Sequence, residues 1–266
     1  AESHNLYGCW NHEQARVVGK LDRCSLPARM EVTDGLLSLL GYYIAEGNSQ
    51  SKSGYFVWST RSMEMQHGFE SALAEWNISF TVRPNGDYQV SSTPLAHLLK
   101  HLGGSVARDK HLPPFWPELS DGQLGVLLQA YFDGDGSVEN WSAVCCVTAS
   151  KQLASELLYA LMRFGIWARL RAVWKIATNS QHSGAWYWQV SISGQENLHA
   201  FAQHIGFAVP HKREALERQL HRRSHSNLDV VPGCGQHFRL LREGLGLSNK
   251  ATARLTGLSR GAILFI

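Results

Sequence analysis

The sequence predicts an α+β fold made of a pseudo-twofold duplicated α-β-β-α-β-β-α unit, followed by a small helical C-terminal module. Three observations predict it. An apolar helix ending in acid-Gly occurs twice, first as Leu36 to Gly47 and again as Leu124 to Gly136. Alternating strands and amphipathic helices follow each copy at nearly the same offsets. Composition then changes in the last 40 or so residues, where a turn-rich stretch precedes a basic tail. With 44% hydrophobic and 18% charged residues among 266, the chain is too apolar to stay disordered, and it has room for a core that needs no staples.

Residues 1–33 form an N-terminal extension. The first repeat, 34–110, opens with a helix capped by Thr33-Asp34 and running through Leu39-Leu40-Gly41-Tyr42-Tyr43-Ile44-Ala45-Glu46-Gly47. A strand over 55–60, a helix over 62–76, further strands ending at 88–92 and a closing helix over 95–102 complete it. A linker, 111–119, holds three prolines, which suit a stiff extended connection. The second repeat, 120–225, starts with Ser120 and Gln123 at capping-box spacing. It then passes through strand 143–148, helix 151–164, strands 168–175 and 186–193, and a helix over 197–205. The tail, 226–266, has a helix over 236–245, after which Ala253, Gly257, Ser259 and Ile263 stand at helix-turn-helix spacing.

The chemistry is concentrated where the two repeat helices end. Gly41 and Ala45 lie four apart, as do Ala130 and Gly134, so each helix carries a strip of small residues that lets a partner backbone come close. Packing along these strips brings Glu46 and Asp135 together beside two electronegative helix C-termini. Such a pair asks for a cation. A hard divalent ion takes carboxylate and carbonyl oxygens, and the backbone at Ala45 and Gly134 is the expected carbonyl source.

These motifs resemble the LAGLIDADG homing endonucleases in their single-chain, two-motif form, nearest the intein-associated subgroup. The resemblance spans about 33–211 and is most specific at Phe132-Asp133-Gly134-Asp135-Gly136-Ser137-Val138. It implies a saddle seated on duplex DNA at a long pseudo-palindromic site, with the protein acting as a monomer. Glu46 and Asp135 would hold two or three Mg²⁺ ions, for which Mn²⁺ or Ca²⁺ can substitute, and both strands would be cut across the minor groove. Family members often place a lysine near each site at a strand end. The corresponding stretches 91–94 and 191–195 hold none, which leaves Lys52, Arg61, Lys151 and Lys175 as candidate supporting cations, Lys52 and Lys175 in a catalytic role. The alternative on the same scaffold is a non-cleaving DNA-binding regulator or an RNA-splicing maturase.

Strand alternation assigns the DNA-facing side. Arg169, Arg171 and Lys175 share one face of 168–175, and Tyr187 and Gln189 share one face of 186–193, leaving Trp174, Trp186, Trp188, Val190 and Ile192 as core. Arg83 and Gln89 are the first-repeat counterparts, with Arg61, Lys151 and Arg260 as further contacts. Arginine and glutamine match guanine and adenine edges in the major groove. The net charge of +3 conceals an uneven split, because ten basic and four acidic residues fall between Lys212 and Arg260. That basic segment suits a polyanion. No stretch of about 18 apolar residues is present, so no membrane partner is expected. The odd count of five cysteines suits reduced thiols and a cytoplasmic, nucleoid-associated location. The pairs His97/His101 and His221/His225 have no third ligand type beside them, and no zinc centre is expected.

Overall fold

A computed structural model describes residues 6–9, 16–19, 25–49, 54–140, 143–175, 184–221, 234–258, 261 and 263. It separates into two compact units, 1–224 and 225–266.

Within the first unit the two repeats share one topology. The first runs α1 (Asp34–Glu46), β4 (Gly47–Asn48), β5 (Phe56–Trp58), α2 (Met63–Ala74), β6 (Thr81–Val82), β7 (Tyr88–Val90) and α3 (Thr93–Gly103). The second runs α4 (Asp121–Asp135), β8 (Gly136–Glu139), β9 (Ala143–Thr148), α5 (Lys151–Met162), β10 (Ala168–Lys175), β11 (Ala185–Ser193) and α6 (Gln195–His204). Both sheets are antiparallel, with orders β4-β5-β7-β6 and β8-β9-β11-β10. Each places the fourth strand of its repeat between the second and third. The duplication expected from the sequence is therefore present strand for strand.

Local signals set the helix starts. Thr33 and Ser120 each accept a hydrogen bond from the amide three residues on, and Ser120 with Gln123 completes the expected capping box. Ser62 and Ser150 cap α2 and α5 in the same way. The two repeat helices end differently from a usual glycine stop. Gly47 and Gly136 have φ of −82° and −78°, which any residue adopts, and each opens a strand directly. Glycine is needed there for space, since a Cβ would stand 2.6 Å from the Tyr43 carbonyl oxygen at Gly47 and 2.4 Å from that of Phe132 at Gly136.

α1 and α4 cross at the small-residue strips. A Cβ at Gly41 would lie 2.5 Å from the Leu127 carbonyl oxygen and 2.6 Å from Ala130 Cβ, and one at Gly134 would lie 2.5 Å from Ala45 Cβ. The backbones are thus in direct contact. Leu37, Leu40, Leu124, Leu128 and Tyr131 flank this seam and join the continuous apolar core, where Trp58 stacks on Phe69 with ring centroids 4.1 Å apart.

Four features depart from the sequence reading. Residues within the N-terminal extension form a small antiparallel sheet of β1 (Leu6–Cys9), β2 (Arg16–Gly19) and β3 (Ser25–Pro27), whose Leu26 is buried in the main core. Short strands with little alternation leave no periodic trace. The linker is not freely extended: Trp116–Glu118 make a single 3-10 turn, and α5 grips the segment. The Leu112 amide donates to Glu156 at 2.7 Å, and Arg163 donates to the Leu119 carbonyl at 2.9 Å and to Asp121 at 2.6 Å. A further helix, α7 (Pro210–Leu220), follows α6, with proline at its start where the missing N–H costs nothing. Finally, Trp174 and Trp186 are 51% and 62% exposed, where core positions were expected. Helix α5 covers the sheet only as far as Ala168 and Leu170, so the hairpin overhangs it. There the two indoles pack on each other edge to face, with centroids 5.3 Å apart.

The second unit contains α8 (Cys234–Gly244) and α9 (Asn249–Thr256). Ser248 caps α9 and Gly257 ends it at φ +70°, a conformation that favours glycine. The expected Gly turn is in place, while Ser259 and Arg260 lie outside the described residues. Among the described residues no helix is long and apolar enough to cross a membrane.

Candidate active site

The α1–α4 seam delivers its two acids to one place. A Cβ at Gly134 would stand 3.4 Å from Glu46 Cγ, so Glu46 packs on the residue that precedes Asp135. Each carboxyl is pushed up. Burial is the larger cause for Asp135, raised to about 7, and repulsion from Glu46 adds to it. Burial also raises Glu46, opposed by the charge of Lys212. Two carboxyls held together at helix C-termini are uncomfortable as a pair of anions, which is the condition that a divalent cation relieves.

Two lysines that the sequence reading did not select complete the cluster. Lys110 is 4% exposed; its Nζ donates to the Tyr43 carbonyl at the end of α1 at 2.7 Å and lies 3.7 Å from the centre of the Tyr43 ring. Lys212, in the first turn of α7, donates at the end of α4 to the carbonyls of Asp133 at 2.6 Å, Gly134 at 3.1 Å and Phe132 at 3.3 Å. A cation on exposed helix-end carbonyls is favourable electrostatically. Burial lowers Lys110 to about 7, opposed by Asp109 and Asp135, and lowers Lys212, opposed by Asp133, Asp135 and Glu46.

The two lysines are repeat mates. α3 begins at Thr93 and α6 at Gln195, 102 residues apart, and the same interval separates Gly104 from Gly206 and Lys110 from Lys212. In each copy the lysine comes six residues after a glycine of positive φ. The signal was present as His101-Leu102-Gly103-Gly104 to Lys110 against Gln203-His204-Ile205-Gly206 to Lys212. It sits past the last helix of each repeat rather than at a strand end, where the resemblance directed the search.

The expected supporting cations lie elsewhere. Lys52 is outside the described residues. Arg61 is exposed in the link from β5 to α2, and Lys151 begins α5 with its Nζ 5.3 Å from the centre of the Trp188 ring. Lys175 is displaced by the strand register, in which Gly136 pairs with Cys146, Cys146 with Val190, and Val190 with Leu170. Five residues of strand beyond Leu170 carry Lys175 about 17 Å along the sheet. Lys175 is therefore not a catalytic group at these acids. The Gly134 carbonyl oxygen accepts from Lys212 at 3.1 Å. Ala45 serves the seam through its Cβ.

Among the described residues no group of three or more His, Cys, Asp and Glu gathers. Glu46 and Asp135 are the carboxyl pair at the seam. A pair of carboxylates suits Mg²⁺, which binds through one or two carboxylates and completes its shell with water and phosphate.

The sheet faces repeat as well. Arg171 donates through Nε and Nη2 to the Gln189 side-chain oxygen at 3.1 and 2.9 Å, and Arg83 donates to Gln89 in the same fork at 3.0 and 2.8 Å. Arg169 is exposed on the face that Arg171 shares, and Tyr187 is half-buried opposite Val173.

Comparison with known proteins fits this geometry. Residues 123–206 match the LAGLIDADG-like domain, so the second repeat carries the LAGLIDADG fold and the first repeats its topology. The chain is 29% identical over 223 residues to the replication factor C small subunit of Methanocaldococcus jannaschii, covering 81% of this chain and 12% of that protein. It is 25% identical over 241 residues to the DNA-directed RNA polymerase subunit Rpo1C of the same organism, covering 86% and 26%. The chain thus spans between about a tenth and a quarter of the length of these relatives. Among solved structures it is similar to I-DmoI in complex with DNA and Ca, at 14% identity and TM-score 0.48, covering 71% of this chain and 100% of that one. It is also similar to full-length DUF199/WhiA from Thermatoga maritima, at 14% identity and TM-score 0.49, covering 90% of each.

Proposed function

We propose that this chain is a site-specific double-strand DNA endonuclease of the homing type, cutting both strands by divalent-metal-assisted hydrolysis. One observation carries the reading: Glu46 and Asp135 meet at the α1–α4 seam, with a lysine at each helix end. Glu46 and Asp135 would hold Mg²⁺, which when bound activates water as the nucleophile and stabilises the leaving oxygen. Lys110 and Lys212, set at the two helix ends, would when protonated offset the charge of an entering phosphate. The Arg83/Gln89 and Arg171/Gln189 pairs are the readers of base edges, one per half of a long pseudo-palindromic site. A single chain supplies both halves, so a monomer suffices.

The relatives support an element carried inside hosts, as the intein-associated subgroup is. A replication factor subunit and an RNA polymerase subunit have unrelated roles by name, yet each contains this segment as a small fraction of its length. The test is Glu46→Gln and Asp135→Asn, each of which should abolish double-strand cutting while DNA binding in Ca²⁺ persists. Cutting retained by both variants would refute the assignment.

A second reading, a non-cleaving DNA-binding regulator, draws on the tail. Its α8-turn-α9 arrangement, with exposed Arg239, Lys250 and Arg254, is suited to duplex contacts that need no cleavage centre. The same variants separate the two, because a regulator would show no metal-dependent cutting for them to remove.

A further inference from the structure

The two half-sites hold their lysines by different means. In the second repeat, Asp133 is 2% exposed and its Oδ1 accepts from the backbone N–H of Ala208 at 3.0 Å and of Val209 at 3.2 Å, where α7 begins. Lys212, one turn into α7, reaches back to the carbonyls at the end of α4. The contact is reciprocal: an acid from the end of α4 satisfies the amides that open α7, and a base from α7 satisfies the carbonyls that close α4. Each helix end supplies what the other lacks.

The first repeat has no such clamp. Glu46 and Asp135 are 89 residues apart, and the same interval puts Ile44 in the place of Asp133. Ile44 is buried against Gly103 and offers no acceptor. The loop that carries Lys110 is held by other means: Asp109 accepts from the amides of Ser105 at 3.3 Å and Val106 at 3.0 Å, the Ser150 hydroxyl donates to the Lys110 carbonyl at 2.6 Å, and the Leu112 amide donates to Glu156 of α5 at 2.7 Å.

We propose that Asp133 is a positioning residue for Lys212, so that one half-site depends on a carboxylate from the end of its own motif helix, where the other has Ile44. The proposal rests on the nuclease reading for its catalytic consequence: loss of the clamp disables one strand cut and leaves the other. Without its acceptor, the buried Val209 amide and the part-buried Ala208 amide lose their partner and the first turn of α7 moves off α4. Asp133→Ile reproduces the first-repeat residue, while Asp133→Asn keeps one carbonyl oxygen for both amides.

Two measurements on the full chain test it. In the first, lysines are acetylated with acetic anhydride and quantified individually by mass spectrometry, with exposed Lys151 as the reference. Asp133→Ile should raise Lys212 modification at least tenfold and leave Lys110 within twofold of the parent, and Asp133→Asn should stay within threefold at both. An unchanged Lys212, or an equal rise at Lys110 and Lys212, would overturn the proposal, since the first means no clamp and the second a general loss of folding. In the second, a supercoiled plasmid carrying a selected site is incubated with Mg²⁺. The parent should give linear product, and Asp133→Ile should accumulate nicked circles cut in one strand; equal loss of both cuts would overturn strand selectivity. If the parent cuts nothing, the nuclease reading fails, and the labelling result still decides whether Asp133 positions Lys212.

Discussion

At the residue scale, the site is a four-charge cluster in which acids and bases answer to different constraints. Glu46 and Asp135 are set by the helix seam and pushed up by burial. Lys110 and Lys212 are set by helix-end carbonyls. Replacing either lysine by methionine keeps the packing of the stem and removes the charge that, in the proposed function, would face the phosphate. Each variant should lower the cleavage rate by about 100-fold, as loss of one preorganised transition-state donor does, while affinity in Ca²⁺ changes little. Single-turnover rates at saturating DNA check this, and rates within threefold of the parent would remove the lysines from the chemistry. The acids were legible because they end recognisable motifs. The lysines were not, because each reaches its helix end from a segment more than 60 residues further along the chain.

At the element scale, the seam depends on residues too small to keep the helices apart. Gly41→Leu would press its side chain into the Leu127 carbonyl and Ala130, so it should destabilise the fold by about 1 to 3 kcal/mol or more. A melting curve checks it, and an unchanged midpoint would mean that the helices separate without penalty. The seam could be read in advance because the spacing of four is local, and helix starts at Thr33, Ser62, Ser120 and Ser150 carried their caps in sequence. Trp174 and Trp186 could not be placed that way. Alternation tells which face a side chain takes, whereas the length of the covering helix decides whether that face is buried. The β1–β2–β3 sheet stayed hidden for a related reason, since strands of three and four residues are too short to show a period.

At the scale of the whole molecule, the proposed function gives the two units separate parts in binding. We expect the tail to add phosphate contacts outside the site read by the saddle, because residues 226–266 hold five basic and two acidic residues. Each phosphate it neutralises should steepen the log-log salt dependence of affinity by about 0.9. Truncation after Asn227 should therefore weaken binding and flatten that slope without moving the cut, and an unaltered slope would refute the role. The central claim concerns the acids, and one measurement reaches it most directly. A randomised-site DNA library is incubated with the chain and Mg²⁺, beside the Glu46→Gln/Asp135→Asn double variant, and the cut ends are sequenced. The account predicts paired breaks at one recurring sequence, offset across the minor groove to leave short 3′ overhangs, and none with the double variant; identical end profiles from the two proteins would contradict it.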